Sequence, residues 1–272
     1  SVKEQVLESP FCKKEFLELV DIVSEVKTTR LVNYAISDSS IVNIGDRDFV
    51  DYRPDVSIDP QVLKENNISS ISFDSLHFFQ VQNLVEEIDT KSVKIKKSDV
   101  AVNLILPKTY EEYLESLTKK NRHELRRKKR KFDNETTSYE LGESKEQDIF
   151  DIFISQHRES KGEKGEFMTE VVETYFRNLL NLQGWRIYYT NTDKGVLSTA
   201  FCYENDDGCY LYNSSRNNEF NSINPGIVLN DLIIQQLIDR GMAFFDFLKG
   251  TEKYKYDLGG NSVQLYDLAI EL

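Results

Sequence analysis

Cysteine is scarce in this sequence. The 272 residues hold 3, an odd number that argues against a disulfide framework. No CxxC pair occurs, and His77, His123 and His157 lie far apart, which makes a zinc site unexpected. Cys202 and Cys209 flank a turn-forming stretch, Glu204-Asn-Asp-Asp-Gly208. Short hairpin loops there would not set the two thiols directly opposite each other, so a bridge would need strain. Glycine (12) and proline (5) are sparse, which excludes collagen-like or low-complexity character. No apolar stretch approaches the roughly 18 residues that suggest a membrane span. The opening Ser1-Val-Lys-Glu-Gln carries no signal-peptide core, so the expectation is a soluble, cytoplasmic chain. Its start at a residue other than Met leaves a processed leader open.

What the chain has in quantity is aromatic residues, with 16 Phe and 14 Tyr, and acid, with a net charge of −12. At this length, one large domain or two packed domains with a sizeable core is expected. The charge is unevenly spread. Residues 119–131, Lys-Lys-Asn-Arg-His-Glu-Leu-Arg-Arg-Lys-Lys-Arg-Lys, hold nine basic residues against one Glu in an otherwise acidic chain. An acidic surface disfavours non-specific nucleic-acid binding, while one basic stripe still attracts a localised anion. On a helix, Arg122, Arg126 and Lys129 share a face beside Leu125 and Phe132. Such a run serves equally as a solvated helix face or as a border of a cleft.

Residues 1–107 read as a mixture of helices and short strands. Helical periodicity covers 10–27 and strand-like runs cover 30–36 and 41–44; a turn-rich acidic segment spans 45–60. A strand follows at 68–73, a helix capped by Ser75 at 76–88, and strands at 93–95 and 101–106. Pro107 marks the boundary to a second half, 108–272. There a long polar helix is expected over 110–132, followed by helices over 146–160 and 169–182 separated by Lys161-Gly-Glu-Lys-Gly165. Three antiparallel strands are expected at 185–190, 196–203 and 209–213. Asn224 suits an N-cap, Pro225 the first helical position and Gly241 the C-terminal cap of an apolar, buried helix. Strands at 243–248 and 263–270 close the pattern.

The unit from Cys209 to Leu248 is the most informative. Two strands around one helix are most simply parallel, with a right-handed crossover. The helix start then lies at the carboxyl end of the sheet, where free N–H groups and the helix dipole favour a phosphate. Ser214, Ser215 and Arg216 add donors there; an ordinary capped helix explains the same residues. Downstream, Asp246 sits in an apolar strand, and Glu252, Tyr254 and Lys255 follow its end at once. Titratable groups at that point are placed to line a cleft; a solvated turn is the plainer alternative.

These residues carry a family resemblance. Tyr113-x-x-x-Leu117-x-x-x-Asn121-Arg122-x-x-Leu125-Arg126-Arg127, His157-Arg158, Ser198-Thr-Ala200-Phe201 and Tyr210-Leu-Tyr212-Asn213 occur in order. Asn224-Pro-Gly226 and Phe245-Asp-Phe-Leu-x-Gly250-x-Glu252-x-Tyr254-Lys255 complete the set. Together, over about residues 110–256, they resemble the CelD-like and FemAB-like branch of the GNAT acyltransferases. The resemblance implies an α+β protein of tandem GNAT-like domains, each a mixed, mostly antiparallel sheet flanked by helices, with residues 1–107 a diverged, shorter copy. It further implies an acyl-CoA co-substrate, acetyl-CoA or longer and without metal, whose pyrophosphate rests on Asn213, Ser214, Ser215, Arg216, Asn224, Pro225, Gly226 and Ile227. The acceptor would be an amine of a sugar, peptide or cell-envelope precursor, bordered by Arg122, Arg126 and Asp246. Glu252 or His157 would be the base, Tyr212 the acid and Lys255 a holder of oxyanion or phosphate, with the reacting carbonyl near Tyr212 and Glu252. The usual Arg/Gln-x-x-Gly-x-Gly/Ala loop is absent, and only Gly226 remains of its glycines. In FemAB-like relatives the donor is an aminoacyl-tRNA, and a lysine like Lys255 contributes to its site; the basic stretch 119–131 would then anchor tRNA. A third possibility is a GNAT-fold scaffold that binds an anionic partner without turnover.

Overall fold

The computed structural model describes residues 2–24 and 28–272. In chain order, its elements begin with α1 (Val2–Leu7), α2 (Lys14–Ile22), β1 (Thr29–Arg30), β2 (Ala35–Ser37) and β3 (Ser40–Val42). They continue with α3 (Pro60–Glu65), β4 (Ser70–Leu76), α4 (Phe78–Glu87) and β5 (Ser92–Ile105). Next come α5 (Tyr110–Ser116), α6 (Lys119–Glu135), β6 (Tyr139–Ser144), α7 (Gln147–Arg158), α8 (Glu163–Phe167) and α9 (Glu170–Leu180). The last are β7 (Trp185–Thr192), β8 (Gly195–Glu204), β9 (Gly208–Arg216), α10 (Pro225–Asp239), β10 (Phe244–Lys249), α11 (Lys253–Asp257) and β11 (Asn261–Glu271). Two compact units result: Ser1–Ala101 with Val263–Leu272, and Val102–Ser262.

In the first unit β1, β2 and β3 pair antiparallel, β3 pairs parallel with β4, and β4 pairs antiparallel with β11. Ile41, Ile71, Phe73, Leu84 and Leu268 form the core between this sheet and its helices. Arg53 is fully buried because its charge is answered on the spot, by the Asp74 carboxylate at 2.7 Å and the Ile44 carbonyl at 2.9 Å. Local chemistry redraws several expected elements. The helical run from residue 10 is split by the extended Lys13 into a 3-10 turn and α2, and the expected end at 25–27 lies outside the described residues. Ser75 caps no helix: it is buried in β4 at a left-handed φ of 57°, its hydroxyl donating to Asp74, and α4 starts after His77. The two strands expected at 93–95 and 101–106 are one strand, β5.

In the second unit β6, β7, β8 and β9 form an antiparallel meander. β9 then pairs parallel with β10, and α10 makes the crossover between them. This pairing is short. It runs from Gly208↔Phe244 to Tyr210↔Asp246, while β9 continues to Arg216. A register shift between β8 and β9 near Phe201/Cys202 makes Tyr212 the extra residue of a bulge, a device that re-aims side chains. The expected long polar helix is two helices, because Thr118 leaves helical geometry and its hydroxyl accepts from the Asn121 N–H at 3.1 Å. Leu125 and Phe132 face inward from α6 as the spacing predicts. Leu229, Ile233, Ile234 and Leu237 of α10 pack with Cys202, Cys209, Leu211 and Phe245 on one face of the sheet. The two cysteines lie diagonally, Cys202 opposite Leu211 and Cys209 opposite Glu204, and remain free thiols.

Three anchors hold α10 within this unit. Ser198 Oγ donates to the Pro225 carbonyl at 2.9 Å. At mid-helix, fully buried Asp231 accepts from Tyr110 Oη at 2.6 Å and Gln235 Nε2 at 2.7 Å, and pairs with Lys129 Nζ at 2.8 Å. At the far end Arg240 pairs with buried Glu204 at 2.7 Å, and Glu204 also accepts from Tyr188.

Candidate active site

Where β9 outruns β10, the second unit opens a cavity of about 690 Å³, within the range of small-molecule sites. Ser214, Ser215 and Arg216 of β9 form one wall, and Asn224, Pro225, Gly226, Ile227 and Asn230 form a second at the start of α10. Tyr254 of α11 and the segment carrying Ser160, Lys161 and Lys164 close the rest. Three lining residues are cationic, Lys161, Lys164 and Arg216, and none is Asp or Glu. The cavity therefore selects anions by charge.

The start of α10 strengthens that selection. Asn224 precedes it in the left-handed region, at φ 58° and ψ 52°, and its side chain caps nothing. Pro225 has no N–H, so the Gly226 and Ile227 amides open the helix with no carbonyl one turn back. They sit at the positive end of the helix dipole in the cavity wall. Space is available: a Cβ placed on Gly226 meets nothing within 4 Å. The loop feeding the helix is braced by Arg216 Nε on Asn221 Oδ1 at 2.9 Å and Asn218 Nδ2 on the Glu159 carbonyl at 3.3 Å. Behind the wall, Ser215 Oγ bonds Thr199 and Gln156, and Gln156 reaches the Val196 carbonyl at 2.9 Å.

An acetyltransferase (GNAT) domain model matches residues 119–256, just over half of the sequence. The chain belongs to the GNAT acetyltransferase family. No functionally curated protein matches it. Among solved structures, a conserved protein of unknown function from Bacteroides thetaiotaomicron superposes with a TM-score of 0.62 at 11% identity, over 100% of this chain and 95% of that one. FemX superposes with a TM-score of 0.58 at 12% identity, over 89% of this chain and 82% of its own. The C-terminal domain of a putative lysylphosphatidylglycerol synthetase from Agrobacterium fabrum gives 0.58 at 12% identity, over 99% and 91%. These likenesses span residues of both units and concern the fold alone. No helix among the described residues is long and apolar enough to cross a membrane.

The GNAT domain gathers some sequence-derived candidates in the cavity and leaves others outside its wall. Ser214, Ser215, Arg216, Asn224, Pro225, Gly226 and Ile227 all line it. Asn213 does not; it faces the other side of the sheet, paired with Phe201 and close to His157. His157 is buried behind the wall, and burial, with the Lys164 charge nearby, lowers its pKa to about 4. It is therefore a neutral imidazole at pH 7. The bulge aims Tyr212 at the same side as Asn213, among Phe176 and Trp185, with its hydroxyl 2.8 Å from that of Tyr175. Glu252 stands outside the lining, its side chain 57% exposed, paired at 3.0 Å with Lys255. Lys255 is buried and fully engaged, donating also to the Lys249 carbonyl at 2.8 Å and the Gly250 carbonyl at 3.2 Å. It clamps the turn in which Gly250 adopts φ 113°. Asp246 is buried in β10 and accepts from the Leu248 N–H at 2.8 Å. Arg122 donates to the Leu114 carbonyl at 3.4 Å, and Arg126 is exposed on α6.

Residues the sequence reading passed over complete the wall: Ser160, Lys161, Lys164, Asn218, Asn221 and Asn230. Lys-Gly-Glu-Lys-Gly reads as a mere spacer between helices, yet it supplies two of the three cations. Although the Lys164 side chain still reaches solvent, desolvation of its ammonium and the Arg216 charge push its pKa down to about 8, with Glu252 opposing. Tyr254 keeps its proton: burial, then the Glu252 charge, drive its pKa well above the usual phenol range.

Proposed function

We propose that the second unit transfers an acyl group from an acyl-CoA to an amine of a sugar, peptide or cell-envelope precursor. One observation carries this reading: in a GNAT domain, a cavity lined by three cations and no carboxylate opens onto the start of a long helix. The donor's pyrophosphate would accept from the Gly226 and Ile227 amides, aided by Ser214, with the helix dipole favouring its charge. The amine nitrogen then forms a bond to the thioester carbonyl carbon, and the C–S bond breaks. The proton that the amine gives up ends on the thiolate, with the Tyr254 hydroxyl in the wall as the relay, giving its proton to sulfur while taking up the amine's. The buried imidazole of His157 supports the wall rather than the reaction, because it lies behind β9. Titration calorimetry of the purified chain with acetyl-CoA and longer acyl-CoAs is the test. Saturable heat with a raised melting temperature is expected; neither effect with any acyl-CoA refutes the reading.

A second reading is FemAB-like aminoacyl transfer from tRNA. Its support is the solvent-facing side of α6, where Lys119, Lys120, Arg126, Arg127, Arg130 and Lys131 are exposed. It expects tRNA binding that weakens steeply with salt and disappears when Arg126, Arg127 and Lys128 are reversed in charge. Unchanged binding by that triple variant removes it.

A further inference from the structure

The anion-selecting groups of the cavity fall into two sets on different segments. One set is the opening turn of α10 with Ser214. The other is the Ser160–Lys164 segment, which presents Lys161 and Lys164, together with Arg216 across the opening. A single pyrophosphate satisfies the first set and leaves the second without a ligand charge. The second set is also fixed in place. Within α8, a Cβ on Gly165 would lie 2.2 Å from the Ser160 carbonyl and 2.9 Å from that of Arg158, so the turn carrying Lys164 is tightly folded on the end of α7. His157, at that end, is buried close to both Asn213 and the Lys164 backbone, so the segment packs against β9.

We propose that Lys161, Lys164 and Arg216 form a separate phosphomonoester subsite that reads the 3′-phosphate of the CoA donor. This inference rests on the acyl-CoA reading and narrows it, because it makes the phosphorylated ribose a determinant of donor choice. The neighbours of Lys164 set how such a site responds to pH. Burial and then Arg216 from β9 disfavour its charge, Glu252 at the start of α11 favours it, Tyr254 is neutral, and His157 of α7 is neutral. With the Lys164 pKa near 8, an incoming phosphate draws a proton onto the amine. Affinity then falls as pH rises through that value.

The experiment is calorimetric titration of the full chain with CoA and with 3′-dephospho-CoA, at about pH 7 and about pH 9, for wild type, Lys164→Gln and Lys164→Arg. CoA should bind about tenfold tighter than dephospho-CoA at the lower pH, and the preference should shrink at the higher. Lys164→Gln should remove most of the preference, weakening CoA about tenfold and dephospho-CoA clearly less. Lys164→Arg should keep the preference and flatten its pH dependence, since a guanidinium does not titrate in that window. Equal binding of the two carriers by wild type overturns the subsite and leaves the acyl-CoA reading standing. Equal weakening of both by Lys164→Gln also overturns it. Binding of neither carrier overturns both proposals.

Discussion

Gly226 separates fold stability from ligand binding, so replacing it gives a sharp prediction. The residue lies in the first turn of α10 at ordinary helical geometry, and an added Cβ meets open space. Alanine there costs no packing and removes freedom from the unfolded chain, for a gain of about 0.5–1 kcal/mol. In a chain of this size that raises the melting temperature by about 1–3 °C. Leucine, also a good helix former, sends its side chain into the cavity and should fold as well as wild type. Binding should move the other way. A leucine at the helix start blocks the approach to two amides, each of which contributes about 1.5–3 kcal/mol when it meets a charged acceptor. Acyl-CoA affinity should therefore drop at least about 100-fold for Gly226→Leu and less for Gly226→Ala. Thermal melts and calorimetric titration on the same samples read both effects. A Gly226→Leu variant that binds acyl-CoA like wild type shows that the pyrophosphate does not use this turn, and one that unfolds shows that the space above Gly226 is not open.

Other outcomes follow from the buried charges. Lys129→Met leaves the Asp231 carboxylate buried with only neutral donors, Tyr110 and Gln235; denaturant melts should show a loss of about 3–5 kcal/mol, and a change under 1 kcal/mol refutes the network. Lys255→Ala strands the Lys249 and Gly250 carbonyls and should cost about 2–4 kcal/mol, whereas Glu252→Gln, at the exposed end of the same pair, should cost under about 1 kcal/mol. Equal losses would contradict that asymmetry. His157 and His77 each have a folded pKa near 4 against 6.5 unfolded. The unfolded chain therefore binds the extra protons between those values, and stability falls as pH drops from about 6.5 to 4, by up to about 3 kcal/mol per histidine. Replacing His157 with Gln should flatten part of that slope in melts compared at pH 7 and 5.

The second unit was legible because its signals are local and agree with one another. Alternating apolar strands, Gly195 and Gly208 at the turns, and Asn224-Pro225 before an apolar helix each specify one element, and their order specifies the parallel β9–β10 crossover. Less could be read where side chains answer to partners distant in sequence. Thr118 ends one helix by capping the next, and the α6 run looks like solvated charge until Lys129 meets Asp231, about a hundred residues away. The cavity was half visible. Its floor and helix start follow from chain order, but the aim of Tyr212 depends on a bulge in the β8–β9 register, which no spacing rule announces. Lys161 and Lys164 reach the wall only because α7 docks through Gln156 and Asn218 contacts the Glu159 carbonyl. In the first unit, short strands and left-handed Ser75 obscured the boundaries.

The triple anchoring of α10 bears on the cost of recognition. With its start held by Ser198, its middle by Lys129 and its end by Glu204, the opening turn is in place before any donor arrives. Little ordering entropy is then left to oppose association at this end of the ligand. Hydrogen exchange should find the amides of Val228 and Leu229 already slow in the free protein, with donor addition slowing chiefly Gly226, Ile227 and the Ser160–Lys164 segment.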